Sequence, residues 1–254
     1  MLSYKTIVPL FVACVAILPA CGGGSSSSNG GDNSVGSITG STGGSTSSND
    51  PQVAPSFALR AGYKSLLSSA SVQTLRISGT CVGTATVSRS APIASTFEGV
   101  AAIAVTDTAT LNFTNCTPSS TASTSTGYFD GNYNPLGEVT VGIEYGVFVP
   151  VPAPLPASVK VGDTALVGTL SLYTDGTKRL GAGQRTTSFV IEADGMSATT
   201  AVANLISKEF NAANQLLSTE QARYRIATDG KMTFISSDVQ YSTTGTNHLV
   251  LTPS

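Results

Sequence analysis

The sequence has no tryptophan, a single histidine, and charged residues at only 11% of its 254 positions. A histidine general base works with a nucleophile and an orienting acid. The chain carries no Gly-x-Ser-x-Gly elbow, Ser-x-x-Lys pair, P-loop or His-Glu-x-x-His motif around which such a site is usually built. We therefore expect His248 to be a partly exposed strand residue, and we assign no catalytic residue.

Basic charge is also scarce. Lysine and arginine together number 13 against 15 acidic residues, which gives a net charge of −2. Proteins that bind nucleic acid rely on clustered cations to neutralise phosphates. The sequence has no such cluster, so we expect no nucleic-acid partner.

A hydrophobic run long enough to cross a membrane is missing as well. The apolar stretch from Ile7 to Leu18 contains Pro9 and is shorter than the roughly 20 residues that a spanning helix needs. Lys5 precedes it, and small residues follow it. This order is typical of a secretory signal peptide, which we assign to residues 1–20.

The signal ends in Leu18-Pro19-Ala20-Cys21, which resembles the lipobox of bacterial lipoproteins. The resemblance implies cleavage before Cys21, acylation of that cysteine, and anchoring to a membrane through the attached chains. The next residue, Gly22, is not the aspartate that retains many such proteins in the inner membrane. We expect an exported, lipid-anchored protein, most naturally in the outer membrane of a Gram-negative bacterium.

Residues 21–55 form the acylated cysteine and a Gly/Ser-rich tether. Val35 and Ile38 are the only large apolar residues between Gly22 and Asp50. Such a segment buries too little apolar surface to offset the entropy of ordering it. We expect a flexible coil with a typical span of roughly 30 Å.

Of the four cysteines, Cys14 lies in the signal and Cys21 in the lipobox. Cys81 and Cys116 remain, in a chain predicted to enter an oxidising compartment. We expect them to form a disulfide. Two separate buried thiols are the alternative, and a zinc site is disfavoured because no histidine lies near either cysteine in the sequence.

The folded part predicts a mainly β protein with one short N-terminal helix. Phe57 to Ser69 has helical spacing, whereas Val72 to Ser88 alternates and is rich in β-branched residues. Three Asp-Gly pairs separate alternating runs further along the chain and predict hairpin turns. They are Asp175-Gly176, Asp194-Gly195 and Asp229-Gly230.

Four prolines at alternate positions divide the folded part. Residues 150–157 contain Pro150, Pro152, Pro154 and Pro156, which favour a stiff, extended connector over a paired strand. We therefore predict antiparallel sheets or a meander in two halves, an N-terminal one at 56–149 and a C-terminal one at 158–254.

The segment 200–217 is ambiguous. Val202, Leu205, Ile206 and Phe210 have helical spacing, but Asn211 to Asn214 also suits the turn of a long hairpin between strands that need partners. We favour the hairpin.

A possible ligand patch lies around the stretch DGNYNPLGE. Tyr128, Phe129, Asp130 and Tyr133 combine aromatic rings with a carboxylate, as sugar- or peptide-binding sites do. The same rings also suit the rim of a sheet core. The stretch matches the first three ligand positions of an EF-hand calcium loop, but Pro135 and Val141 occupy the positions at which that loop requires glycine and glutamate. We assign no metal and no cofactor.

The other carboxylates are scattered along the sequence, and we expect them to be solvated on the surface. They include Glu98, Asp107, Glu138, Glu144, Asp163 and Glu192. A glycan hydrolase would need two of them facing each other across a cleft. No pair stands out in the sequence, so an envelope hydrolase is the alternative function rather than the leading one.

The mature chain also resembles a group of Gram-negative envelope lipoproteins to which no activity is assigned. The stretches that carry this resemblance are SGTC, FEG, NCTP, SVKVGD and RYRI. It implies no catalytic residue. Our leading expectation is a non-enzymatic binding or scaffolding module held at the membrane by Cys21, with a protein or glycan ligand.

Overall fold

A computed structural model of the chain describes residues 54–242 and 247–254. The lipobox, Cys21 and the tether up to residue 53 lie outside the described residues. One helix, α1 (Leu59–Leu67), precedes thirteen strands. The strands are β1 (Ser71–Gly79), β2 (Gly83–Arg89), β3 (Ile93–Phe97), β4 (Val100–Phe113), β5 (Ser120–Phe129), β6 (Pro135–Thr140), β7 (Glu144–Phe148), β8 (Thr164–Tyr173), β9 (Gly181–Ala193), β10 (Thr200–Asn211), β11 (Leu216–Ala227), β12 (Met232–Tyr241) and β13 (Asn247–Pro253).

The strands form one antiparallel sheet that closes on itself. From β3 to β13 each strand pairs with the next along the chain, and β13 then pairs with β1. The sheet closes because β1 pairs with β2, and β2 pairs with the second part of β4. β3 pairs with the first part of the same edge of β4, so β2 and β3 share one position in the sheet. The thirteen strands therefore fill 12 positions around the closed sheet. The prediction of a mainly β, antiparallel fold with one short helix is confirmed.

The interior of the closed sheet is mostly apolar because alternate residues of each strand point inward. Leu75 and Ile77 of β1, Phe189 and Ile191 of β9, and Ile226 of β11 are at most 2% exposed. All of them belong to one core cluster. Most neighbouring positions, such as Arg76 and Glu192, carry polar or charged side chains that face outward, so period-2 alternation specifies which face of each strand is buried.

Helix α1 packs against this core. Leu59, Leu66 and Leu67 are buried, and Leu59 is fully covered. A close contact with the β11–β12 turn explains why position 62, inside the helix, is a glycine. A Cβ atom there would lie 2.4 Å from the carbonyl oxygen of Gly230 in the β11–β12 turn. Only a residue without a side chain allows the helix to approach that turn so closely.

The proline-rich connector does not interrupt the sheet. Strands β7 and β8, which flank it, pair directly, with Tyr145 opposite Tyr173 and Phe148 opposite Leu170. Leu155 of the connector is buried, and its carbonyl oxygen accepts a hydrogen bond of 2.6 Å from Nε of Arg60 in α1. The two halves that the sequence suggests therefore contribute strands to one sheet.

Segment 200–217 is the hairpin of β10 and β11, with its turn at residues 212–215. The Asn211 side chain organises this turn, because its Oδ1 accepts hydrogen bonds from the backbone amides of Ala213 and Gln215, both at 2.9 Å. All three Asp-Gly pairs lie in turns between antiparallel strands. His248 lies in β13 with a side chain that is 40% exposed, as expected.

Cys81 and Cys116 form a disulfide, which confirms the prediction of that pairing. It joins the β1–β2 turn to the β4–β5 turn and closes a segment with a sequence separation of 35. In the chain-entropy model a loop of this length stabilises the folded state by ~3–4 kcal/mol. No helix in the described part of the chain is long and apolar enough to cross a membrane.

Candidate functional site

A buried arginine lies inside the closed sheet. Arg185 is in β9, in phase with the inward-facing Phe189 and Ile191, and is 6% exposed. Directly across the β9–β10 ladder it faces Glu209. An isolated buried charge is costly, so such a side chain needs charged or hydrogen-bonding partners.

Three glutamates surround this guanidinium. Nη1 of Arg185 donates to Glu138 of β6, and Nη2 donates to Glu144 of β7 at 2.6 Å. Nη2 and Nε also donate to Glu209, at 2.9 and 3.3 Å. All three carboxylates are at most 7% exposed. One cation thus connects four strands through the interior of the sheet.

A fourth glutamate lies next to this group. Glu220 of β11 is 7% exposed and accepts a hydrogen bond of 2.7 Å from the Ser237 hydroxyl. Tyr241 of β12 is 8% exposed, and its hydroxyl has no hydrogen-bond partner among the described residues. Glu220, Tyr241, Glu209 and Arg185 line a small space of about 10 Å³. We call the four glutamates, Arg185 and Tyr241 the interior carboxylate cluster.

Burial controls the protonation of the cluster. It raises the pKa of Glu138 to about 8, despite the opposing effect of Arg185, and the neighbouring Glu144 adds to the rise. Burial likewise raises the pKa of Glu209 and takes that of Glu220 to about 7. Burial opposes the charge on Arg185, yet its glutamates hold the pKa of Arg185 well above the usual value. Glu138 therefore keeps its proton at neutral pH.

A larger cavity of about 80 Å³ adjoins the cluster. Arg185 and Ser207 line both this cavity and the smaller space. Glu138 and Thr187 add polar atoms to the larger cavity, and its remaining walls are mostly apolar. The apolar residues include Tyr63, Phe129, Phe148, Leu155, Val167, Leu170 and Leu205. The cavity thus has a charged side and an apolar side.

The expectation that the scattered carboxylates are solvated is wrong for three of them. Glu138 and Glu144 are buried in the cluster, and Asp107 forms a bidentate pair with the buried Arg89. The sequence reasoning also missed Glu209 and Glu220, and strand alternation was the signal that could have found these two. Glu209 is in phase with Ala203 and Leu205, and Glu220 with Ala222 and Tyr224, so core packing turns these carboxylates inward.

Of the predicted ligand patch, Tyr128 and Phe129 lie in β5 on opposite faces of the sheet, and Asp130 and Tyr133 lie in the turn that follows. Phe129 points inward and is buried against Leu67 and Val105. Tyr128 points outward and stacks on Phe97, with ring centroids 4.4 Å apart. Tyr133 remains near Phe129, at 6.2 Å between ring centroids.

Asp130 organises the β5–β6 turn. Its carboxylate accepts hydrogen bonds from the backbone amides of Asn132 and Asn134 and from the Asn134 side chain, at 2.8 to 2.9 Å. Asn132 and Asn134 also line a surface pocket of about 450 Å³ with Arg60 and Lys64 of α1. The turn therefore borders a surface pocket in which the charged side chains are basic.

In the described ranges, 54–242 and 247–254, no group of three or more His, Cys, Asp or Glu side chains has the arrangement of a metal site. The interior glutamates are instead arranged around a guanidinium. Comparisons with protein-family models, curated proteins and solved structures find no match to this chain.

Proposed function

We propose that this protein is a lipid-anchored envelope lipoprotein whose closed sheet is a non-enzymatic binding module for a small ligand. The observation that carries the binding role is the cavity of about 80 Å³ beside the interior carboxylate cluster. Burying five ionisable side chains is costly, and well-packed apolar residues would fill the same volume at least as stably. A ligand-binding role accounts for polar side chains at these positions.

The proposal of an anchor rests on the sequence. Cys21 follows a short apolar signal and precedes a tract that cannot form a core. A tether of about 30 residues lets the folded module stay some tens of ångströms from the bilayer. Because Gly22 follows the cysteine, we propose the outer membrane of a Gram-negative bacterium as the location.

The arrangement of the carboxylates favours binding over hydrolysis. Glu138, Glu144 and Glu209 all contact Arg185 and lie inside the closed sheet. Sites for drug-sized molecules occupy roughly 300–1,000 Å³. A cavity of about 80 Å³ is too small for a glycan chain unless strands separate.

A glycan-directed hydrolase remains the second candidate because of one observation. Glu138 has a pKa of about 8, which suits a general acid, and it lies beside Glu144. The two functions can be separated by incubating the full chain with fluorogenic glycosides and with peptidoglycan fragments. Turnover that disappears in Glu138→Gln and persists in Glu192→Gln would support the hydrolase and contradict the non-enzymatic role.

The anchor is tested by expressing the full chain in a Gram-negative host fed with radiolabelled palmitate. We expect label on the wild type and its recovery in the outer-membrane fraction. Cys21→Ser should take up no label and leave the membrane fraction. Cys14→Ser, which alters a cysteine inside the signal, is the matched control and should behave like the wild type. Membrane retention of unlabelled Cys21→Ser would contradict the anchor.

A further inference from the structure

Carboxyl groups outnumber cationic groups inside the closed sheet. The described side chains that face this region carry four carboxyl groups and one guanidinium. Together with the Tyr241 hydroxyl they come from six strands, with Glu138 on β6, Glu144 on β7, Arg185 on β9, Glu209 on β10, Glu220 on β11 and Tyr241 on β12. Arg185 already contacts three carboxylates, so it has little capacity for an added anion. The cluster lacks a second cation.

Tyr241 provides an independent sign of a missing partner. Its hydroxyl is buried, lines the space shared with Glu209 and Glu220, and makes no hydrogen bond to a described residue. A buried hydroxyl without a partner costs stability. The adjoining space of about 10 Å³ accommodates one group the size of water, and an ammonium group is of that size.

The larger cavity limits what else the ligand can contain. Its apolar walls suit a short hydrocarbon chain, because they offer no hydrogen bonds to polar atoms. A cavity of about 150 Å³ holds benzene, and a water molecule takes up roughly 30 Å³. At about 80 Å³ the space fits a ligand with roughly four non-hydrogen atoms.

We propose that the interior carboxylate cluster and its cavity bind a small primary amine. The ammonium group lies among the carboxylates, and a short aliphatic chain packs against Leu170, Leu205 and the neighbouring apolar residues. This inference rests on the proposed function, since it names the ligand class of the same binding module. An anion would meet the excess of carboxylates, and an alcohol would leave that excess uncompensated.

Binding of the amine is coupled to release of a proton. The ammonium group enters with its positive charge, and the carboxyl group of Glu138 loses its proton to the solvent, so the net charge of the cluster is unchanged. Because the pKa of Glu138 is about 8, the proton competes with the amine at neutral pH. The amine should therefore bind more tightly as the pH rises from 6 to 8, by up to tenfold per unit.

The experiment is a calorimetric titration of the full chain in detergent with propylamine, against 1-propanol and acetate, which also have four non-hydrogen atoms each. A ligand of four atoms binds no more tightly than roughly tens of micromolar, so the titration extends to tens of millimolar. We expect propylamine to bind at least tenfold more tightly than either control. Titrations in buffers with different ionisation enthalpies should report release of about one proton per amine at pH 7.

Variants separate the site from the rest of the protein. Glu138→Gln should abolish the proton release and weaken propylamine binding at least tenfold, and Val167→Phe should block binding by filling the cavity. Glu192→Gln changes an outward-facing glutamate of the same strand as Arg185 and should bind like the wild type. Circular dichroism checks that each variant is folded, and the pH dependence of the wild type tests the proposal if Glu138→Gln does not fold.

Each other result overturns the inference in a recognisable way. Equal binding of propylamine and 1-propanol would mean that the cavity selects only for shape. Preferential binding of acetate would mean that Arg185 accepts anions; a binding role would then stand with a different ligand class. If no probe binds at any pH, the amine proposal fails. The proposal of a non-enzymatic binding module is contradicted separately, by hydrolysis that depends on Glu138.

Discussion

Two buried arginines of this protein have opposite surroundings. Arg89 makes a bidentate pair with Asp107, at 2.8 and 2.7 Å, and its remaining nitrogen donates to the carbonyl oxygen of Leu66 in α1. Arg185 contacts three glutamates, and a fourth lies nearby. The first arrangement balances one charge with one charge, whereas the second has more carboxyl groups than its cation can neutralise.

The difference shows what each arginine does for the fold. The Arg89 pair fixes α1 against the sheet and needs nothing further to complete it. The Arg185 cluster is balanced only if carboxyl groups keep protons or if another cation enters. The first pair is therefore structural, and the second is a site whose charge depends on pH and, in our proposal, on a bound amine.

Removal of each arginine should produce the largest contrast. Arg185→Met leaves several carboxylates buried without a cation, so we expect it to lower the free energy of unfolding by about 5 kcal/mol at pH 7. Arg89→Met leaves a single unpaired carboxylate and should cost about 3 kcal/mol. Urea unfolding followed by circular dichroism measures both values.

The pH dependence of the two variants sharpens this contrast. Arg185→Met should regain much of its stability at pH 5, because several glutamates can then take up protons. Arg89→Met should regain less, since Asp107 alone can do so. Equal costs with equal recovery would mean that the two clusters are equivalent.

The wild type itself should lose stability as the pH rises from 5 to 9. The pKa values of Glu138 and Glu220 rise from 4.5 to about 8 and about 7 on folding. Raised values stabilise the folded state fully below the unfolded pKa, and that contribution is lost as the pH rises through 7 and 8. One pKa unit corresponds to about 1.4 kcal/mol, so the two groups together should lose on the order of 6 kcal/mol of this stabilisation between pH 5 and pH 9.

Urea midpoints at unit steps of pH measure this loss, and the double variant Glu138→Gln, Glu220→Gln should flatten the profile. The variant Glu192→Gln, which alters an outward-facing glutamate, should leave the profile of the wild type unchanged. A wild-type midpoint that is constant between pH 5 and 9 would show that the buried glutamates do not titrate in that range.

The sequence allowed the strands to be predicted but not the cluster. Alternation and Asp-Gly turns are local signals that led to strands and hairpin turns, and the two cysteines were paired on the expectation of an oxidising compartment. Closure of the sheet depends on β1 pairing with β13 and on β2 pairing with β4, and contacts between strands that are not consecutive in the chain have no local signal. The phase of Arg185 with Phe189 and Ile191 was visible, but which glutamates meet it depends on that closure.

Replacing one carboxylate beside each arginine should change the free energy of unfolding by smaller amounts than replacing the arginines. Glu138→Gln resembles the protonated form that predominates at neutral pH, so we expect a change of less than about 1 kcal/mol at pH 7. Asp107→Asn removes the charge opposite Arg89 and should cost about 2 kcal/mol. Urea unfolding of both variants provides the comparison, and a larger cost for Glu138→Gln would contradict the excess of carboxyl groups around Arg185.

The smallest effect concerns the unpartnered hydroxyl of Tyr241. Tyr241→Phe removes a buried group that makes no hydrogen bond to a described residue, so we expect it to raise the free energy of unfolding by about 1 kcal/mol in the absence of ligand. Tyr145→Phe is the matched control, because its hydroxyl donates to Glu98 and the change should lower stability by about 0.5 kcal/mol. Both values come from urea unfolding at pH 7. If Tyr241→Phe instead destabilises the protein, the hydroxyl already has a partner such as bound water, and the cluster is complete without a ligand at that position.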